Sequence, residues 1–281
     1  MSRQSRRRLK SRLMVGVMLI AVAVAVLPLI LILGSLVMRG AGSLSPSFFT
    51  NPPVPVGEIG GGVLHAIVGT LTIVGVASLV GVPIGIAAGL YCTEYPATRL
   101  AVVTRFIADV LNGTPSIVVG ILAWTWVVVP QQNFSAMAGS VALSVLMIPM
   151  VMRTTEELLK LVPNSLREAA LALGFPRWRT SISVVLRTAL PGIVTGTLLA
   201  VARISGETAP LLFTALGSEY LSTRLDQPMA ALPLLVFKYA QSPYPEWHQL
   251  AWTSALVLIL VVLALSVAAR LATRQRFGRS E

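Results

Sequence analysis

Arg203 and Glu207 stand four residues apart in the otherwise oily run from Leu198 to Phe213, where ionised side chains are out of place. Arg203 lies twelve residues beyond Pro191. That is about 18 Å along a helix, close to mid-membrane for a span starting at the proline. An arginine at that depth costs about 2.5 to 3.5 kcal/mol on insertion scales, so it is expected to face a polar cavity or a partner charge. Glu207 is the partner by spacing, because residues i and i+4 share a face of a continuous helix. Pro210 offers no N–H to the carbonyl of Gly206, which weakens the helix beside the pair. A planar guanidinium presents paired donors that suit a tetrahedral oxyanion, so the expected chemistry is recognition of an anion at a breakable turn. The competing reading is an ion pair that neutralises itself and fixes helix packing.

A second polar cluster, Asn112-Gly113-Thr114-Pro115-Ser116, opens another apolar run. Hydroxyls and free N–H groups at a broken helix can meet a substrate, which places Ser116 with Arg203, Glu207 and Thr208 as expected substrate-pathway residues. The same cluster also reads as a plain kink or helix start. Other chemistry is poorly supplied. Cys92 is the single cysteine, and His65 and His248 have no neighbours at ligand spacing, so neither a disulfide nor a metal site is expected. Lys10, Lys160 and Lys238 follow Leu or Phe, so there is no Gly-Lys-Ser/Thr phosphate loop and ATP hydrolysis is expected on another chain. With no nucleophile and base in the apolar runs, the chain is read as no enzyme and as holding no cofactor of its own.

These residues must be positioned by membrane helices. With 55% hydrophobic and 12% charged residues among 281, the composition is that of a membrane protein. A net charge of +11 raises the question of nucleic acid, but the basic residues sit in short loops between oily runs instead of gathering on one surface. Six spans are predicted, at Met14–Met38, Val63–Tyr91, Ile107–Val129, Ala138–Met152, Pro191 to about Leu216, and Leu250–Leu271. The fourth is short and is expected to continue as helix beyond the membrane. The first follows a basic tail at residues 1–13 and, at 14–38, is too long for a signal-peptide core, so it is read as uncleaved. Placing the N-terminus in the cytoplasm leaves only Arg39, Arg224 and Lys238 outside, which puts both termini and the basic tail at 272–281 on the cytoplasmic side. Gly81, Gly85 and Gly89 give the second span a face for close helix approach. The stretch Met229 to Val236 is too short to cross and is expected at the interface or as a re-entrant segment, near Tyr239, Tyr244, Trp247 and Trp252.

A polar loop at 153–190 interrupts the permease core at 63–271. Ser165 and Glu168 have capping-box spacing, Gly174 is placed to end the helix, and a second short helix is expected from Pro176 towards Trp178, Ile182, Val185 and Leu186. Such a pair of helices reads as a knuckle offered to a soluble partner, or as a connector lying on the membrane surface.

Glu168-Ala169-Ala170, Gly174 and Val184-x-Leu186 resemble the EAA loop of ABC importer permeases, the segment that inserts into a cleft of the ATPase subunit. The likeness departs after Leu186, where Arg187 stands in place of the usual proline and Pro191 follows. Three longer motifs, Ala202 to Thr214, Thr114 to Gly120, and Gln227 to Pro233, resemble the PstA-type permeases of phosphate-specific ABC importers. The resemblance implies an all-α polytopic fold of the MetI-like type I importer kind, with six transmembrane helices in the cell inner membrane. It implies phosphate as cargo, a heterodimer with a second permease of PstC type, two PstB-type ATPase copies that bind ATP and Mg, and an external PstS-type phosphate-binding protein. The family's intramembrane arginine and glutamate fall on Arg203 and Glu207, and its coupling residues on Glu168, Ala169, Ala170 and Gly174. Two alternatives stand beside it: a permease for sulfate or molybdate, and a membrane scaffold or sensor, which leaves Arg203 unexplained.

Overall fold

The computed structural model describes residues 3–55, 58 and 60–277; Ser2 and the end of the expected basic tail, with Arg279, lie outside the described residues. All regular elements among the described residues are helical. In chain order they are α1 (Arg3–Gly40), α2 (Pro46–Thr50), α3 (Leu64–Glu94), α4 (Arg99–Gly113) and α5 (Ser116–Gln131). There follow α6 (Ala136–Lys160), α7 (Asn164–Ala172), α8 (Arg177–Ile204), α9 (Ala209–Thr214), α10 (Leu232–Ala240) and α11 (Pro245–Phe277).

Five of these, α1, α3, α6, α8 and α11, are long and apolar enough to span a membrane, and α4 with α5 makes a sixth only as a pair bent by 108°. The expected third span is therefore two helices. Thr114 precedes a proline and takes an extended ψ of 132°, and Pro115 follows at ψ 134°, so helical hydrogen bonding cannot run through them. The fourth span does continue beyond its apolar run, to Lys160. The fifth differs at both ends: its helix begins at Arg177, passes through a π-helical turn at Ser181–Leu186, and stops at Ile204 instead of reaching Leu216. The second short helix expected after Pro176 is thus the first part of α8.

The core is the α3·α6 pair, where Ile73, Ala77, Leu143, Met147 and Val151 are buried together. The glycine face allows this approach. A Cβ at Gly85 would lie 2.7 Å from Cβ of Val151, and one at Gly89 would lie 2.7 Å from the Met152 carbonyl oxygen. The hydroxyls of Ser140 and Ser144 donate across the same contact to the carbonyls of Ile73 and Ala77, each at 3.2 Å. Met229 to Leu235 packs back into the bundle, all seven residues buried, with the Leu232 N–H donating to Thr70 Oγ1 at 2.8 Å. Beside it Tyr239 stacks on Trp247 at 4.6 Å, and the Arg39 guanidinium lies 4.9 Å from the Trp252 ring centre.

Candidate functional site

Two helix breaks face each other across the bundle. The first is the Thr114–Pro115 bend, and the second is the four-residue gap Ser205 to Thr208 between α8 and α9. Just beyond the second, Gly120 of α5 packs on the start of α9 so tightly that a Cβ there would lie 2.6 Å from Pro210 Cα. Between the breaks is a cavity of about 230 Å³ lined by Leu111, Asn112, Thr114, Pro115, Ser116, Leu146, Met150, Arg203, Ile204 and Glu207.

Three of the expected pathway residues, Arg203, Glu207 and Ser116, therefore share one cavity. Thr208 does not line it. Its carbonyl instead accepts the N–H groups of Leu211 at 3.1 Å and Leu212 at 3.3 Å, which starts α9. The expected helical pairing of Arg203 with Glu207 is also absent: no ion pair joins them among the described residues. The reason is the break itself. Gly206 and Glu207 close 3-10-type turns onto the Arg203 and Ile204 carbonyls, both at 3.1 Å, so the i+4 residue no longer sits one helical turn above the arginine. The missing Pro210 N–H, expected to weaken the helix, contributes to ending it.

The cavity is consequently polar in a particular way. The exposed Arg203 guanidinium and the half-buried Glu207 carboxylate are separate groups on its wall. Thr114 Oγ1 already donates to the Val110 carbonyl at 2.7 Å, which leaves its lone pairs for a donor. Pro115 and Ser116 are the cap and first residue of α5, so the start of that helix lies at the wall, where the helix dipole favours negative charge; of its first-turn N–H groups, that of Val118 is taken up by the Pro115 carbonyl at 2.9 Å. Asn112, Leu146 and Met150 were not singled out from the sequence as pathway residues. Asn112 belongs to the recognised polar cluster, but nothing in the apolar pattern of α6 marks the two others.

The polar loop forms a second candidate site. Its helix, α7, starts one residue before the expected cap, with Pro163 at ψ 138° as N-cap, so Ser165 lies inside the first turn and the capping box with Glu168 does not form. The other end is as expected: Gly174 adopts φ +82°, its N–H bonds Leu171 O at 2.9 Å, and the Phe175 N–H bonds Ala170 O at 3.2 Å, a Schellman closure. Glu168 and Ala169 are exposed and Ala170 is buried. Leu173 is 79% and Trp178 66% exposed, which leaves large apolar side chains without cover within this chain.

Below α7 is a charge cluster that the sequence reading missed. Glu156, fully buried in α6, receives Arg105 Nε at 2.7 Å, Lys160 Nζ at 2.7 Å and Arg153 Nη1 at 3.4 Å. Arg153 also pairs with Asp109, and Arg167 of α7 pairs with Glu94 at the end of α3. The spacing of Arg153, Glu156 and Lys160 along one helix was the available signal.

The family described as binding-protein-dependent transport system inner membrane component matches residues 81–276. The chain is 46% identical to the phosphate transport system permease protein PstA of Yersinia pestis, over 95% of this chain and 91% of that one. It is 45% identical to PstA of Haemophilus influenzae, over 94% of each chain. It is 39% identical to PstA 1 of Mycobacterium tuberculosis strain H37Rv, over 96% and 91%. Among solved structures, an inward-facing MetNI methionine ABC transporter superposes with TM-score 0.64 at 22% identity, covering 76% of this chain and 95% of that one. An amino acid ABC transporter gives TM-score 0.58 at 18% identity, covering 76% and 92%.

Proposed function

Because the chain belongs to the PstA family of phosphate transport system permeases, we propose that the cavity between its two helix breaks holds phosphate on its passage through the membrane. The chain is a permease subunit of a phosphate ABC importer and is not itself an enzyme. The observation that carries the site assignment is the convergence of Arg203, Glu207 and the first turn of α5 on one cavity.

Arg203 supplies two or more directed donors to the anion, and the α5 N-terminus adds N–H groups and a positive partial charge. Glu207 opposes them. A carboxylate in the same cavity keeps the anion from being held too tightly, and passage requires that what enters can also leave. Leu111, Leu146, Met150 and Ile204 give the apolar part of the wall, whose side chains offer no strong competing hydrogen bonds.

An importer of this kind works with further ABC components, a partner permease and an ATPase among them. In our reading the partner permease is of PstC type and faces the exposed Arg203, and a PstB-type ATPase pair, holding ATP and Mg, receives α7 through Glu168, Ala169, Ala170 and the turn at Gly174. A PstS-type binding protein delivers phosphate from outside. In the same reading both termini and α7 lie in the cytoplasm in a multi-pass inner-membrane topology, a placement supported by the distribution of basic residues. Labelled-phosphate uptake by the co-expressed complex tests the site. Arg203→Ala is expected to abolish uptake while the complex still assembles, and normal uptake by that variant refutes it. Excess sulfate or molybdate, added as competitor, is expected to leave uptake unchanged.

A further inference from the structure

We propose that the buried Glu156 and its three cations link α7 to the wall of the phosphate cavity, so that displacement of α7 moves α4. This rests on α7 being the element that the ATPase engages. Glu156 and Arg105 are positioning residues in this role and touch no phosphate.

The inference starts from how weakly α4 is packed. Of its fifteen residues only Ala101 and Ala108 are buried among the apolar ones, so methyl contacts hold little of it within this chain. Its firm ties are polar and converge on one side chain. Arg105 gives Nε to Glu156 at 2.7 Å, Nη2 to the Cys92 carbonyl at 2.6 Å and Nη1 to the Pro96 carbonyl at 3.1 Å. One turn on, Asp109 pairs with Arg153, which also reaches the Arg105 carbonyl at 3.4 Å. The far end of the same helix, at Leu111 and Asn112, is cavity wall. A helix is stiff over so short a length, so whatever shifts Arg105 shifts that wall.

Two connections run from Arg105 to α7. The first passes through Glu156 to Lys160, the last residue of α6, after which the chain turns into α7. The second passes through the end of α3: Arg105 holds the Cys92 carbonyl, and Glu94, two residues on, pairs with Arg167 of α7. A junction made of charges differs from an apolar one. Glu156 is wholly buried and keeps Lys160 and Arg153 on its own helix, so an α4 position that withdraws Arg105 removes its one cation from another helix, and that loss favours discrete arrangements over continuous sliding.

The test uses the complete reconstituted importer and reads three quantities: ATPase co-purification, ATP hydrolysis, and phosphate moved per ATP. Glu156→Gln keeps the shape of the side chain and removes its charge. It is expected to leave the ATPase bound and hydrolysis close to the parent, and to lower phosphate moved per ATP by about fivefold or more, the lower edge of ordinary coupling energies. Glu94→Gln is expected to lower the same ratio, and the exchange Glu94→Arg with Arg167→Glu to restore it. An assembled Glu156→Gln complex with the parent's ratio overturns the proposal. If Glu156→Gln does not assemble, Glu94→Gln decides: an unchanged ratio overturns the proposal, and a lowered ratio rescued by the exchange supports it. Failure of the docking reading looks different, since Gly174→Pro would then leave ATPase association and uptake intact in the otherwise unaltered chain.

Discussion

Arg203→Lys separates the two readings of the intramembrane arginine, because it keeps the charge and removes the planar fork. Arg203 is exposed and forms no ion pair with Glu207 within this chain, so replacing it leaves no buried carboxylate stranded. The folding cost is expected to be within about 0.5 kcal/mol, as for other substitutions away from packed or paired sites. A charged hydrogen bond to the anion is worth about 1.5 to 3 kcal/mol, and a lysine ammonium recovers one such contact where the guanidinium makes two. Losing one contact corresponds to about a tenfold to hundredfold fall in uptake at low phosphate, at about 1.4 kcal/mol per factor of ten. Arg203→Ala removes both and is expected to leave no measurable uptake. The assay is initial uptake per assembled complex, with assembly checked by co-purification and thermal unfolding. A structural pair predicts the reverse: Arg203→Ala would lower thermal stability, and adding Glu207→Ala would restore both stability and uptake. That rescue, or near-parental uptake by Arg203→Lys, would refute the assignment.

The glycine face of α3 gives a second expectation. Gly85→Val forces side-chain atoms into the 2.7 Å contact with Val151 and should cost about 1 to 3 kcal/mol, read as a lower unfolding temperature of the detergent-solubilised complex. Gly174→Pro cannot adopt φ +82° and loses the N–H that bonds Leu171, so it should abolish ATP-driven uptake with membrane insertion intact. In a Cys92→Ser background, Lys238→Cys should react with an impermeant reagent added outside, whereas Met229→Cys, at 1% exposure, should resist it. Arg224 holds the Asp226 carboxyl below its ordinary value in the exposed connection before α10, so this pair's contribution is present above the free carboxylate value and is lost as pH falls through the depressed one. The unfolding temperatures of the parent and Asp226→Asn should accordingly differ little at neutral pH and converge in acid.

Much of the bundle was legible because burial in lipid demands long apolar runs, and those runs are unmistakable in α1, α3 and α11. The α3·α6 contact was legible too, since three glycines four apart admit few other purposes than close approach. What failed was continuity. An apolar run does not say whether its helix is whole, and the runs holding Pro115 and Pro210 were both drawn as single spans although each is broken. Glu156 escaped notice for a related reason: on the sequence it is one more charge in a polar loop, and only the packing of α4 against α6 makes it a buried anion surrounded by three cations.

The two broken runs also account for why the site could be named but its geometry could not. Each carries an interior proline, Pro115 or Pro210, with glycines nearby, and each looked like a local weakness in its own helix. Their meaning is joint. Gly120 is the residue that lets α5 touch the backbone of Pro210, so the helices that follow the two breaks pack on each other, and polar residues from both breaks line the same 230 Å³. A continuous α8 would have carried Glu207 above Arg203 and closed the pair on itself. The break keeps them apart, and an arginine whose own carboxylate neighbour is out of reach remains available to an anion that arrives and departs.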